Sequence, residues 1–256
     1  MRFLSILTLC LFLTSNPAPA ERSQAKSWGW MCQETVTAMR ALTVKLDEPL
    51  RIFKPDEVRQ GMVFDPMGYF AILQNISLPE VTILDYVYQM EPSAGYPVLY
   101  VRDRNEKPIK NMEEYAKAHP GHQSQEDRMK ELARMLEVRD SGSGYFEYAV
   151  FYLMAPNFYF HKWAGTDKEI VCHEIRLLEI FKTNASIPAA VMGAAKKLEL
   201  APQISLTAEK AEVKLITYTA WGGFFQETFV ISRLAPHALV RHDEKCLVEY
   251  NCGIKL

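Results

Sequence analysis

The first twenty residues constrain this chain more than any later motif, because they decide the solvent and redox conditions in which the rest must fold. They read MRFLSILTLCLFLTSNPAPA. Arg2 supplies a short positive start, Phe3 to Leu13 an apolar stretch, and Ala18-Pro19-Ala20 a small-x-small pattern before Glu21. This is the layout of a removable export signal, with cleavage expected near Ala20. The apolar stretch is about 11 residues, roughly 16 Å as a helix, whereas a membrane span needs about 20 residues. The most apolar later run, Tyr148 to Phe160, is short and interrupted by Pro156 and Asn157. The expected location is the periplasm or the extracellular space, with no transmembrane segment in the mature chain.

An oxidising compartment gives the cysteines their meaning. Cys32, Cys172, Cys246 and Cys252 lie beyond residue 20, and an even set of thiols outside the cytoplasm points to disulfides. The favoured pairing is Cys246 with Cys252, across a turn at Glu249 to Asn251, and Cys32 with Cys172. Reduced buried thiols are one alternative, and thiolates around zinc are a weaker one. A free Cys172 would be a candidate nucleophile, but only with a histidine brought to it from elsewhere.

Loss of Arg2 takes the formal net charge from -2 to -3. There is no basic excess to hold a nucleic-acid backbone. The sequons Asn75-Ile76-Ser77 and Asn184-Ala185-Ser186 matter only in a glycosylating host. A chain of this length can bury roughly 70% of its unfolded surface, enough for one core. The organisation expected is one mature α+β domain over residues 21–256, with a subdivision near 104–144 as the alternative.

The pattern alternates helices with antiparallel strands. A helix is expected over 31–46, with the stripe Cys32, Val36, Met39, Thr43 and Leu46 inward. A meander follows: strands over 62–73, 81–90 and 97–102, rich in β-branched and aromatic residues. Helices are expected over 111–118 and 124–138, the second capped by Ser124 with Asp127 in the capping-box position. Tyr145 to Met154 and Phe158 to Trp163 read as a hairpin. A helix over 168–181, capped by Asp167 or Thr166, precedes a small helix with Pro188 in its first turn. Strands over 213–220 and 224–232, joined at Trp221-Gly222-Gly223, form a hairpin, with short edges at 238–241 and 246–250. Glycine stands before paired aromatics at Gly68, Gly144 and Gly223, which raises an internal repeat as a hypothesis.

No strong catalytic motif is present, and no cofactor is expected. Ser23 and Lys26 fit SxxK by spacing alone. His119 and His122 flank a tight turn and could share a metal, although zinc or copper needs further ligands. Cys172, His173 and Glu174 are consecutive on a helix and diverge. His237 and His242 are too oddly spaced to share a strand face. Asp85 and Glu147 each lie among aromatic residues, and as a pair with His161 they would serve a hydrolase by acid-base chemistry.

The aromatic residues carry the preferred reading. Tyr86, Tyr88, Tyr145, Tyr148 and Trp163 fall on expected strands, where tyrosine and tryptophan combine flat apolar area with a polar handle. Arg102, Arg104, Lys162 and Arg233 could meet an anionic group beside them. The expectation is a binding or accessory protein outside the cytoplasm, using this aromatic face for a small organic ligand or an envelope protein. A secreted hydrolase is the first alternative. An envelope structural or assembly protein, pairing through an exposed apolar edge at Phe224 to Val230, is the second.

Overall fold

The computed structural model describes residues 19–44, 64–91, 94–121, 124–157, 168–184 and 186–250. The fold is mixed α and β with antiparallel sheets, as the sequence pattern predicts. None of the described helices is long and apolar enough to cross a membrane.

The first helix, α1, runs Pro19–Val44. Cys32, Val36 and Met39 form its buried stripe. Gly29 explains part of the Trp28-Gly29-Trp30 sequence: a Cβ there would lie 3.1 Å from the Cys172 carbonyl oxygen. That close approach brings Cys32 to Cys172, and the two form a disulfide with their Cα atoms 5.8 Å apart. The other expected bridge, Cys246 with Cys252, falls partly outside the described residues: Cys252 lies there, and among the described residues Cys246 is a free, exposed cysteine.

The first strand of the expected meander is absent where the chain is described. Asp65 accepts a hydrogen bond from the Met67 N–H at 2.9 Å, and Pro66 fixes φ for a helical start. A short 3-10 turn (Pro66–Gly68) therefore leads into α2 (Tyr69–Ile72). The local cap outweighs the strand-like composition. A short β1 (Ile76–Ser77) later pairs with β4 (Glu137–Val138). The remaining two strands form a long hairpin of β2 (Thr82–Glu91) and β3 (Ala94–Asp103). Next come α3 (Met112–Ala118) and α4 (Gln125–Arg134), the latter with the Ser124–Asp127 capping box formed in both directions.

The expected hairpin over 145–163 is overturned. Gly142–Met154 is a helix, α5, and every residue from Gly144 to Leu153 is buried. An all-round apolar helix belongs in a core, and its lack of amphipathic period makes it look like strand. Its start is built by Ser141, whose hydroxyl accepts the Gly144 N–H at 3.1 Å. Gly144 is required: a Cβ there would stand 2.0 Å from the Arg139 carbonyl oxygen. Gly144→Ala is expected to lose about 2 kcal/mol of stability by forcing that backbone apart, measured as a fall in the urea midpoint at unchanged slope.

The C-terminal half is a five-stranded antiparallel sheet. It contains β5 (Glu169–Ile170), β6 (Gln203–Leu206), β7 (Lys210–Thr219), β8 (Gly223–Ser232) and β9 (Leu239–Glu249). Both β5 and β6 pair with β7, and β8 lies between β7 and β9. The two short edges expected at 238–250 are thus one strand. Two helices lie between β5 and β6: α6 (Glu174–Thr183) and α7 (Ala189–Ala195). The N-cap of α6 is His173, not Asp167 or Thr166, and Pro188 is the N-cap of α7 rather than a first-turn residue.

Alternation along the sheet divides two cores. Ala211, Val213, Leu215, Phe229 and Ile231 join α1 and α5 in the larger core. Ile216, Tyr218 and Phe224 join Leu177 and Ile180 of α6 and Ala195 of α7 in the smaller one. The three glycine-aromatic sites fall on a 3-10 turn, a helix start and a strand start, so no repeated unit connects them.

Candidate functional site

Glu227 sits on the same face of β8 as Phe229 and Ile231, facing the larger core, with none of its side chain exposed. A buried carboxylate is tolerated only when charged or hydrogen-bonding partners replace water. Lys168 Nζ lies 2.9 Å from one oxygen, and Thr217 Oγ1 donates to that same oxygen at 3.0 Å. His242 Nε2 lies 2.8 Å from the other. An ionised carboxylate only accepts, so Nε2 carries the proton in this pair. Burial alone would raise the Glu227 carboxyl, but hydrogen bonds from His242 and Lys168 outweigh it and bring it down to about 2.

The sheet places these groups. Glu227 is in register with Leu215 on β7 and with Glu244 on β9. Thr217 and His242 are its diagonal neighbours on the two flanking strands, within side-chain reach. Lys168 enters just before β5 and bridges Glu227 and Glu244, which would otherwise repel across the ladder. The imidazole of His242 stacks on Phe229, with centroids 4.3 Å apart, and meets the Tyr152 ring at 5.5 Å.

Lys168 also lines a cleft of about 180 Å³ between α1, α2, the end of α5 and β5. Its lining mixes apolar Met39, Tyr69, Met154 and Ile170, the first two fully buried and Ile170 nearly so, with polar Arg40, Asn157, Lys168 and Glu169. Glu169 holds both Arg40, at 3.0 Å, and Arg176. Burial lowers the Arg40 guanidinium, Glu169 acts against that, and Arg176 adds to it. Burial also pulls the Lys168 ammonium down, but Glu244 and Glu227 hold it above the usual lysine range.

The residues expected to form an aromatic binding face are dispersed. Tyr86, Tyr145 and Tyr148 are buried in the larger core, two of them on α5 rather than on a strand. Tyr88 is half-buried against that core, and Trp163 lies outside the described residues. Burying tyrosine rings between α5 and its neighbours removes the face that a hairpin would have offered.

The expected acid-base residues are held separately. Asp85 accepts from Arg102 Nε at 2.8 Å, from the Tyr100 hydroxyl at 3.2 Å and from the Tyr86 N–H. Glu147 accepts from the backbone and side-chain amide of Asn75 at 2.6 and 2.5 Å. Burial raises the Glu147 carboxyl while both Asn75 bonds oppose the rise. The two carboxylates share none of these partners, and His161 lies outside the described residues.

The remaining expected sites have local roles. The described residues contain no group of three or more His, Cys, Asp or Glu able to hold a metal. His119 packs on the Tyr115 ring at 4.6 Å, and His122 is outside the described residues. Arg104 donates to the Glu80 carbonyl, and Arg233 grips Asp140 with two nitrogens at 2.8 Å each. Lys162 is outside the described residues. Phe224 to Val230 belong to β8, which is paired on both sides and is not an edge. Burial, Glu249 and Glu244 all push the Cys246 thiol up, away from the thiolate that nucleophilic chemistry needs.

Sequence reasoning missed Glu227, Lys168 and the cleft. One signal was present: Phe225, Glu227, Phe229 and Ile231 alternate, which puts the carboxylate on an apolar face. Compared with known proteins, the chain matches no family model, no curated protein and no solved structure.

Proposed function

We propose that the chain works outside the cytoplasm as a binding protein, holding a small organic ligand in the cleft between α1 and β5. The observation that carries this reading is the mixed lining: four apolar and four polar side chains surround a concave space. Ligand sites combine an apolar wall with a few placed polar groups in this way. The export-type pattern of residues 1–20 and the Cys32–Cys172 disulfide support the compartment. The buried Glu227 cluster anchors one wall by fixing Lys168, which favours a preorganised binding surface over a moving catalytic group.

Native mass spectrometry of the mature protein, isolated from its own compartment without reduction, tests this. The expected spectrum shows a retained small molecule on the native chain and none on Met154→Trp, whose indole fills the cleft. Retention of the same molecule by both proteins would place the ligand elsewhere. No retained molecule, together with no melting shift above about 2 °C across a library of small acids, alcohols and amines, would overturn the reading.

A further inference from the structure

β9 closes one edge of the five-stranded sheet, and among the described residues β8 is its only strand neighbour. It is 11 residues long, whereas the opposite edge is divided between the short β5 and β6. An open strand of that length is a template for another chain. Residues 240, 241, 243–246 and 249 are exposed. Two shifts in register skip Val240 and Leu247 and leave residues 241–246 as an unbroken ladder on β8.

Charge selects what can add to this edge. Arg241, Asp243 and Lys245 stand opposite Val230, Thr228 and Gln226, on the sheet face turned away from Glu227 and Phe229. Their signs alternate along the strand. The Arg241 and Asp243 side chains stay more than half exposed although they bridge each other at 2.6 Å. An edge of one sign repels every incoming copy of itself. An alternating edge repels a copy in some registers and accepts it in another.

Antiparallel self-pairing about a two-fold axis has few choices on this run. Centred on Asp243, it sets Asp243 against the partner's Asp243 and Arg241 against the partner's Lys245. Centred on Lys245, it sets Lys245 against the partner's Lys245. Centred on Glu244, it sets Asp243 against the partner's Lys245, and symmetry makes that pair twice. The two Glu244 carboxylates then meet on the other face, each already bridged by the Lys168 of its own chain.

We infer that β9 is a homodimer edge: two copies of this chain pair their β9 strands antiparallel about Glu244 and join their sheets into one. The pairing stands whether or not the cleft holds a ligand.

Sedimentation velocity of the oxidised mature chain, from about 1 to about 500 µM, tests it over a range suited to a small interface. The native chain is expected to show a monomer–dimer equilibrium within that range. Asp243→Lys and Lys245→Asp each turn both opposite-charge pairs into like-charge pairs, so each is expected to weaken self-association at least ten-fold. An equimolar mixture of the two variants should associate within about three-fold of the native chain, because each supplies the charge that the other lacks. Circular dichroism checks that both variants are folded. A native chain that stays monomeric throughout would overturn the inference. A dimer that neither substitution weakens would place the interface elsewhere and overturn it too. Failure of the mixture to recover would overturn the register. So would a disulfide between the Cys246 residues of two native copies, which this register sets four residues apart along the strands, about 13 Å.

Discussion

The double variant Cys32→Ala/Cys172→Ala is expected to lose about 5 kcal/mol of stability relative to the oxidised chain. The bridge closes a loop of 140 residues in sequence, so its chief effect is on the unfolded state. Chain-entropy arguments give a larger gain for longer loops, and a closure of this length stands near the top of the range. The native state should change little, since both cysteines are buried beside packed neighbours that alanine does not crowd. A whole domain is commonly stable by only 5–15 kcal/mol, so the variant should be marginal. Urea titration of three samples checks this: the oxidised chain, the same chain under dithiothreitol, and the double variant. The last two should unfold together, far below the first. A loss under about 1 kcal/mol would show that the bridge constrains nothing that packing does not already hold. The same result would also weaken the case for an oxidising compartment, because the fold would then have no need of one.

The elements that could be read in the sequence are those whose local signals and tertiary roles agree. β2, β3, β7 and β8 combine β-branched residues with bounding turns, and all four form. α4 carries its own cap, and the Ser124–Asp127 exchange forms as expected. The failures have a common cause: local composition was overruled by burial. α5 is rich in tyrosine, phenylalanine and valine because it is surrounded by protein, and those are also the residues of a strand. Its Ser141 cap and its length of 13 residues were the countersigns. A hairpin over 145–163 would put Tyr145 and Tyr148 on a sheet surface, whereas α5 buries both in the larger core and removes that binding face. The cleft was illegible for a different reason. Its lining comes from residues as far apart as Met39, Tyr69, Met154 and Lys168, and only the packing of α1 and α2 beside β5 brings them together. Cys32 and Cys172 were an exception among distant pairs, because sulfur chemistry makes a long-range contact visible in one dimension.

Lys168→Met is expected to cost about 3 kcal/mol at neutral pH, because it leaves the Glu227 carboxylate buried beside Glu244 with its main cationic partner gone. The loss falls at the low end of the range for a broken buried pair, because about a third of the Lys168 side chain is exposed (32%) while Glu227 has none exposed. The paired variant Lys168→Met/Glu227→Gln should recover much of that loss, which separates a stranded charge from mere loss of packing. Acid titration gives an independent readout with a fixed sign. The Glu227 carboxyl is brought down from 4.5 to about 2 in the folded chain. Its contribution is therefore fully present above the unfolded value and is lost as pH falls from about 4.5 toward 2, an effect on the order of 3 kcal/mol. Glu227→Gln removes this titration. Unfolding free energies of the native chain and of Glu227→Gln, measured at pH 7, 4 and 3, should converge as the pH falls, because only the native chain has that contribution to lose. Parallel curves would mean that Glu227 is not held ionised by Lys168 and His242. The wall that presents Lys168 to the cleft would then lack its electrostatic anchor, and the preorganisation on which the binding role depends would have to come from packing alone.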